Sequence, residues 1–233
     1  MTTRAPLRIA LLGAESTGKS TLAQALAERL RAATGLRVEP VDEWLRHWCE
    51  IHQRTPRAEE QAAIAAEQQA RIDAAARTAD IVIADTTPLM TAVYSELIFQ
   101  DHSLSDRALA QQSQFELTLL MALDLPWQAD GIQRDGPQVQ APVDQALRRH
   151  LRRSGLRWAV IGGRGEQRLE AALDALTPLL AGADTEVADA AQANGLFSRL
   201  MSRQQRLGQQ RWRCECCDDP ECELALKQVR SGA

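Results

Sequence analysis

Short apolar segments alternate with longer, helix-forming segments along most of the chain. Five of the apolar segments have the length of β-strands, and they comprise residues 7–12, 37–41, 81–84, 117–123 and 157–161. Leu, Ile, Val and Ala dominate in four of them, while 37–41 also contains Glu39 and Pro40. Nearly all-apolar strands are typical of a sheet buried on both faces. Alternation of such strands with helices predicts a parallel sheet that helices cover on both sides.

The segments between the strands are rich in Ala, Gln, Glu, Leu and Arg, which favour helices. After the first strand, Leu22, Leu26 and Leu30 recur every four residues, so a helix places them on one side. The Ala-rich segment 57–79 is expected to form another helix. We therefore predict an α/β domain with a doubly wound, five-stranded parallel sheet in residues 1–182.

The alternation stops near residue 182. One more helix is expected at about 187–209, and four of the five cysteines follow it: Cys214, Cys216, Cys217 and Cys222. We interpret residues 183–233 as a helical, Cys-rich C-terminal appendage to the main domain.

The charge balance narrows the class of partner. The chain has 27 Lys and Arg against 31 Asp and Glu, which gives a net charge of −4. Proteins that bind nucleic acid usually have a basic excess, so we expect a small anionic ligand and no nucleic acid. No apolar segment approaches about 18 residues, and the N-terminus has no signal-peptide core, so we expect a cytoplasmic protein with no membrane partner.

Residues 13–20 read Gly-Ala-Glu-Ser-Thr-Gly-Lys-Ser, which is the P-loop pattern. The two glycines allow a sharp turn and a close approach of the backbone to a phosphate. Successive N–H groups and the start of the next helix attract the anion. In this pattern Lys19 reaches the β- and γ-phosphates, and the Ser20 hydroxyl can ligate Mg²⁺. We predict that ATP is bound by Gly13, Glu15, Ser16, Thr17, Gly18, Lys19, Ser20 and Thr21.

A P-loop alone does not separate a kinase from a GTPase or a mechanical ATPase. The Asn-Lys-x-Asp segment common in GTPases is absent, and no run of four consecutive apolar residues is followed by Asp-Glu. The nearest equivalent is Asp85, which would emerge at the carboxyl end of the strand at 81–84, where open α/β sheets bind ligands. We expect Asp85 to ligate Mg²⁺ directly or through water. The alternative is that Asp85 caps the following helix.

Four segments together resemble the NadR-type ribosylnicotinamide kinase domain of the P-loop superfamily. They are residues 13–20, Asp42-Glu43-Trp44-Leu45-Arg46, Asp85-Thr86-Thr87-Pro88 and Trp127-Gln128-Ala129-Asp130-Gly131. Their order and spacing match that family over about residues 6–180. The resemblance implies a P-loop kinase fold and ATP-dependent phosphorylation of the ribose 5′-hydroxyl of nicotinamide riboside. The product would be nicotinamide mononucleotide, a step of NAD biosynthesis.

Transfer to a sugar hydroxyl requires a carboxylate that positions the hydroxyl and accepts its proton. Glu43 follows the second strand and matches the family's Glu there, so we assign this role to Glu43, with Asp42 as the close alternative. Either acid could instead cap the next helix. Arg46 lies one turn further along that helix. The resemblance implies a substrate site made of Asp42, Glu43, Arg46, Trp127 and Asp130.

Two departures from the family are visible. Its bifunctional members carry an adenylyltransferase domain ahead of the kinase, and we expect none here because the P-loop begins at residue 13. The family's lid often has Arg two residues after the Asp-Gly pair, where this chain has Gln133 followed by Arg134. We assign the catalytic lid arginine to Arg134, which could neutralise charge on the γ-phosphate. Four arginines of the next helix are an alternative source of positive charge, but we interpret them as a solvated face: Arg148, Arg149, Arg152 and Arg153.

Nicotinamide riboside has a flat, positively charged ring, for which an aromatic side chain is a suitable platform. Four aromatic residues are candidates by their location: Trp44, Trp48, Trp127 and Tyr94. Core packing is the alternative role for each of them.

The cysteine cluster suggests a structural metal. Cys214 and Cys217 have the Cys-x₂-Cys spacing, and Cys222 and Cys216 could complete a tetrahedral Zn²⁺ site. His47 or His52 is an alternative fourth ligand. Thiols that form a regulatory disulfide are the other interpretation.

Two other functions stay open on the sequence. The same architecture could phosphorylate another nucleoside or small metabolite. A nucleotide-dependent ATPase or switch, with a partner bound by the cysteine-rich tail, would also carry a P-loop.

Overall fold

The structure is a computed structural model, and it describes residues 5–128 and 136–182. The strands are β1 (Leu7–Leu12), β2 (Val38–Val41), β3 (Ile81–Asp85), β4 (Leu117–Met121) and β5 (Trp158–Ile161). All strand pairs are parallel, in the order β2-β3-β1-β4-β5, which confirms the predicted five-stranded sheet.

Helices connect the strands and cover both faces of the sheet. Within the described ranges they are α1 (Lys19–Thr34), α2 (Trp44–His52), α3 (Gln61–Ala76), α4 (Pro88–Phe99), α5 (Ser105–Gln112), α6 (Gln140–Ser154) and α7 (Glu166–Gly182). Short 3₁₀ helices at Ala58–Glu60 and Pro137–Val139 precede α3 and α6. None of the helices described is long and apolar enough to cross a membrane.

The central strand β1 shows how the core is divided between the two faces. Ile9 and Leu11 pack against α1 and α7, whereas Ala10 and Leu12 belong to clusters on the opposite face, with α3, α4 and α6. This alternation follows from the two-residue period of a strand. On α1, the predicted stripe of Leu22, Leu26 and Leu30 is buried, and each such side chain contributes about 1.5–3 kcal/mol to folding.

Three strands differ from the prediction by one residue at one end, and two segments differ by more. Residues 117–123 were expected to form a strand, but β4 ends at Met121 because the chain turns away from the sheet, leaving Leu123 exposed. The Ala-rich segment 57–79 is helical in two parts, a 3₁₀ turn and then α3, which ends at Ala76. The appendage predicted for residues 183–233 lies outside the described residues.

The carboxyl ends of the strands bring the chemically active segments to one edge of the sheet. The phosphate loop follows β1, Asp85 ends the adjacent β3, and Asp42 and Glu43 follow β2 on the far side of β3. Asp124 follows β4, which is the other neighbour of β1. Segments that are far apart in the chain therefore meet around the phosphate loop.

Candidate functional site

The phosphate loop packs tightly against the end of β4. Gly13 has a φ of +155°, and a Cβ at this position would lie 2.8 Å from the Cβ of Met121. The hydroxyl of Thr17 donates a hydrogen bond of 2.7 Å to the carbonyl oxygen of Ala14, within the loop. Glycine is therefore required at position 13 both by the backbone conformation and by the neighbouring strand.

The end of the loop carries a buried ammonium group. Gly18, with φ of +78°, is the N-cap of α1, so no side chain occupies the first N–H groups of that helix. Lys19 is 7% exposed, and its Nζ donates hydrogen bonds of 3.0 Å to the carbonyl oxygens of Gly13 and Ala14. The ammonium and the helix N-terminus together provide positive charge for a phosphate chain.

Asp85 lies beside this loop and is 2% exposed. Burial raises the pKa of its carboxyl group, while Lys19, a hydrogen bond from the Ser20 hydroxyl, and Arg46 act in the opposite direction. Its Oδ1 has no hydrogen-bond partner among the described residues. A hydroxyl next to a buried carboxylate with an unused oxygen is a donor set that fits Mg²⁺.

The helix after Asp85 is capped by a different residue. Thr87 is the N-cap of α4, and its Oγ1 accepts a hydrogen bond of 3.3 Å from the N–H of Leu89. Thr86 has a φ of +70°, which is uncommon for threonine. The capping alternative for Asp85 is thus wrong, because the turn at Thr86 separates Asp85 from the helix.

Gln68 joins the loops that follow β2 and β3, and the sequence reasoning missed it. Its Oε1 accepts a hydrogen bond of 2.7 Å from the N–H of Trp44, and its Nε2 donates to the carbonyl oxygens of Asp42 (3.3 Å) and Thr86 (3.4 Å). Gln68 is 2% exposed. The sequence did contain an indication of this role. Gln68 lies midway between Ile64 and Ile72 on α3, at a position where an apolar residue is expected on the buried face.

The two candidate carboxylates after β2 have different surroundings. Asp42 is exposed, and its Oδ1 accepts a long hydrogen bond of 3.4 Å from Gln24. Glu43 has a 9% exposed side chain whose Oε2 lies 3.8 Å from Nε of Arg46. Glu43 is the N-cap residue of α2 but makes no side-chain capping hydrogen bond. The geometry is consistent with a carboxylate turned inward at Glu43 and a solvated one at Asp42.

The phosphate loop lines a polar cleft of about 420 Å³. Its walls are residues 16–21, Arg46 and the segment after β4, including Leu125 and Gln128. Ser16 Oγ donates a hydrogen bond of 2.7 Å to the carbonyl oxygen of Gln128. Trp127, next to it, is half-buried, and its indole N–H has no partner among the described residues. Asp130 and Arg134, predicted for substrate binding and for the lid, lie outside the described residues.

Arg168 of α7 donates a hydrogen bond to the backbone of the phosphate loop. The sequence did not indicate this role. Arg168 is 4% exposed, and its Nη1 donates a hydrogen bond of 2.6 Å to the carbonyl oxygen of Thr17. The same guanidinium donates to the carbonyl oxygen of Gly163 (2.8 Å) and forms an ion pair with Asp124. Arg168 therefore links the phosphate loop to the segments that follow β4 and β5.

A second, largely apolar pocket of about 460 Å³ adjoins the phosphate loop at Glu15. It lies between α2, α4 and the start of α6, and its walls include Leu45, Tyr94, Phe99 and Val143. Glu15 also faces α6, since its carbonyl oxygen accepts a hydrogen bond of 2.7 Å from Gln140. The described walls of this pocket contain no Lys or Arg. The site thus combines a polar cleft for phosphates with a neighbouring apolar cavity.

A family model described as AAA domain matches residues 8–168, most of the chain. The chain belongs to this family. The match begins within β1, covers the phosphate loop, Asp85 and the segment after β4, and ends at Arg168. No curated protein matches the chain in sequence.

Two solved structures share the fold of this AAA domain. One is NadR protein in complex with NR, with a TM-score of 0.58, 19% identity, and coverage of 74% of this chain and 50% of that chain. The present chain thus spans half the length of the NadR protein. The other is thymidylate kinase from Ehrlichia chaffeensis, with a TM-score of 0.54, 18% identity, and coverage of 76% of this chain and 100% of that chain. The AAA domain has a P-loop kinase fold, and the likeness to NadR is confirmed at the level of fold.

The AAA domain places the four aromatic candidates differently. Trp44 carries the guanidinium of Arg71 over its ring at 3.9 Å, and Trp48 stacks on His52 with ring centroids 3.9 Å apart. Tyr94 lies in the wall of the apolar pocket, and Trp127 follows β4 next to the phosphate cleft. Trp44 and Trp48 are not among the described residues that line the two cavities.

The arginines of helix α6 in the AAA domain lie on its solvent-facing side. Arg148 pairs with Asp144 at 2.7 Å, Arg149 forms an ion pair with Glu96 on α4, and the last two arginines are exposed. These arginines are separate from the phosphate cleft, which agrees with their interpretation as surface residues.

The predicted zinc site is not tested by the structure, because the four clustered cysteines lie outside the described residues. In the described ranges of the AAA domain, no group of three or more His, Cys, Asp or Glu side chains could hold a metal ion. His52 Nδ1 lies 2.8 Å from the carbonyl oxygen of Trp48. Zinc binding by the tail stays a prediction.

Proposed function

We propose that this AAA-domain protein is an ATP-dependent kinase that phosphorylates the ribose 5′-hydroxyl of nicotinamide riboside, giving nicotinamide mononucleotide. The observation that carries this proposal is the apolar pocket beside the phosphate loop. Its described walls contain one carboxylate, Glu15, and no Lys or Arg. The pocket is large enough for a ring of nucleobase size, and its charge favours an acceptor that has no phosphate of its own.

The charge of the pocket separates two kinds of acceptor. A nucleoside monophosphate, the type of acceptor that the name thymidylate kinase implies, needs cationic side chains around its phosphate. A nicotinamide riboside ring is itself positively charged, and Glu15 together with the aromatic face of Tyr94 would stabilise it. The fold shared with the NadR protein in complex with NR supports the same substrate.

The residues of the phosphate cleft supply the roles that phosphoryl transfer needs. Lys19 and the N-terminus of α1 would hold the β- and γ-phosphates of ATP. Ser20 and Asp85 would hold Mg²⁺, which when bound neutralises charge on the phosphate oxygens. Arg46 borders the cleft on the α2 side. These groups stabilise negative charge without forming covalent bonds to the substrate.

The acceptor hydroxyl would be activated from the β2 side of the cleft. Glu43 would position the 5′-hydroxyl and accept its proton as the oxygen forms a bond to the γ-phosphorus. The bond between the γ-phosphorus and the β,γ-bridging oxygen breaks, and ADP leaves with the bonding electrons. Arg134 would close over the transferred phosphate as the lid arginine.

A phosphoryl-transfer assay with ATP, Mg²⁺ and a panel of acceptors tests the proposal. The panel contains nicotinamide riboside, thymidine, thymidine monophosphate and no acceptor, with Lys19→Ala as the inactive control. We expect phosphorylated product with nicotinamide riboside and little with the monophosphate. Preferred transfer to thymidine monophosphate would show a nucleotide kinase instead. Hydrolysis of ATP at the same rate with and without acceptors would favour the ATPase or switch.

A further inference from the structure

Three buried glutamines of α3 differ in what their side chains contact. Gln68 makes three hydrogen bonds. Gln69 donates one of 3.0 Å to Asp73, although its Oε1 has no partner among the described residues. Gln61, at the first position of the helix, is 2% exposed and lines the apolar pocket. Its Oε1 is buried without a hydrogen-bond partner among the described residues. Gln61 thus differs from the other two in having no described structural use for its carboxamide.

A buried amide without partners is costly. Leaving a buried donor or acceptor unsatisfied costs about 1–3 kcal/mol, so a leucine of similar size would pack this wall at lower cost. The cost is recovered when a ligand in the pocket supplies the missing hydrogen bonds. Because the terminal torsion of glutamine has two broad orientations, either amide atom can be turned toward a ligand.

We propose that Gln61 determines the specificity of this kinase by forming hydrogen bonds with a carboxamide on the ring of the acceptor. This inference rests on the proposed function. A carboxamide is the matching group, because it offers both N–H donors and a carbonyl acceptor and so pairs with glutamine in either orientation. Other described residues that line the pocket, such as Leu45, Tyr94 and Phe99, would contact the flat faces and edges of the ring.

The same arrangement discriminates against a carboxylate on the ring. A carboxylate accepts hydrogen bonds but donates none, so it satisfies only one orientation of Gln61. It also shares the pocket with Glu15, whose charge opposes a second negative charge in an apolar cavity. The kinase therefore prefers a riboside with a ring carboxamide to the corresponding carboxylic acid or to the unsubstituted ring.

Steady-state kinetics with three acceptors and three variants test this assignment. The acceptors are nicotinamide riboside, nicotinic acid riboside and the riboside of unsubstituted pyridine. The variants are Gln61→Leu, Gln61→Glu and the matched control Gln69→Leu, which removes a buried glutamine from the same helix but outside the pocket. Thermal unfolding of each variant is measured alongside kcat/KM.

We expect Gln61→Leu to lower kcat/KM for nicotinamide riboside about 10- to 100-fold, the effect of one lost buried hydrogen-bonding group. The value for the pyridine riboside should change little, so the preference for the amide disappears. Gln61→Glu retains an acceptor for the amide N–H, so it should keep part of the preference for nicotinamide riboside over the pyridine riboside. It should also lower kcat/KM for nicotinic acid riboside further. Gln69→Leu should change stability but leave the ratios between acceptors as in the wild type.

The possible failures are distinguishable. If Gln61→Leu lowers kcat/KM equally for all three ribosides, Gln61 is structural and the inference is wrong, although the kinase assignment stands. If the wild type uses the three ribosides equally well, the inference is likewise wrong. If the wild type phosphorylates none of them but transfers phosphate to another acceptor, the proposed function fails and the amide-selective role fails with it.

Discussion

Arg168 and Thr17 are joined by a hydrogen bond of 2.6 Å from the guanidinium to the backbone carbonyl of the phosphate loop. The two residues are 151 positions apart in the chain. This hydrogen bond ties the loop to α7. Since the same guanidinium pairs with Asp124, the loop and the segment after β4 share one buried cation.

Replacing Arg168 should weaken nucleotide binding. In Arg168→Met, the loop loses its support and Asp124 loses its partner, so we expect KM for ATP to rise about 10-fold and stability to fall by about 1–3 kcal/mol. Arg164→Met, an exposed change on the neighbouring turn, is the control. Kinetics at varied ATP and urea unfolding measure the two effects. An unchanged KM for ATP would show that the loop holds its shape without Arg168.

Lys19→Ala should abolish phosphoryl transfer while the fold persists. The ammonium group donates hydrogen bonds to the backbone carbonyl oxygens of Gly13 and Ala14 in the phosphate loop. Its loss removes charge stabilisation that is typically worth a factor of about 10²–10³ in kcat. Turnover and circular dichroism of the variant give the answer. Near-normal turnover would exclude the P-loop as the catalytic nucleotide site.

The elements that the sequence predicted correctly depend on short-range patterns. Runs of mostly apolar residues identify four of the strands, whereas β2 contains Glu39 and Pro40 and is recognised by its place in the strand–helix alternation. The four-residue recurrence of Leu22, Leu26 and Leu30 identifies the buried face of α1. The glycine positions of the P-loop are likewise readable, because each is fixed by its own backbone conformation and its neighbours. These features need no knowledge of distant contacts.

The supporting residues could not be predicted in the same way. Arg168 acts on a carbonyl 151 residues away, and the use of Gln61 depends on which helices form the pocket around it. The role of Gln68 could have been predicted, because this polar residue interrupts the apolar face of α3. The strand at 117–123 was predicted too long for a related reason: Leu123 is apolar but exposed after the chain leaves the sheet.

Replacing each of the two acidic residues after β2 by its amide should identify the one that contacts the acceptor hydroxyl. Glu43 is the inward residue and Asp42 is exposed. We therefore expect Glu43→Gln to lower kcat about 10²-fold or more with KM for ATP nearly unchanged. Asp42→Asn is the matched control and should retain most activity. If instead Asp42→Asn is inactive and Glu43→Gln is active, the two roles are reversed.

A pH-dependent contribution to stability should come from Glu60, the residue before Gln61. Its carboxylate accepts hydrogen bonds from Arg54 (2.6 and 2.7 Å) and from the N–H of Arg57 (2.8 Å). These contacts lower the pKa of Glu60 from 4.5 to about 2. A lowered pKa means that the folded state favours the ionised form, so the stabilisation is present at neutral pH. It is lost as the pH falls from about 4.5 to about 2.

The test compares the free energy of unfolding of the wild type and Glu60→Gln by urea denaturation across this range. We expect the variant to be less stable at pH 7 and the difference to shrink steadily as the pH falls below 4.5, the ordinary pKa of the group. Glu59→Gln, an exposed neighbour, controls for the loss of charge alone. A difference that stays constant with pH would mean that Glu60 acts through packing. Because Glu60 fixes the turn that begins α3, Glu60→Gln should also reduce the preference for a ring carboxamide, in kcat/KM, that we assign to Gln61.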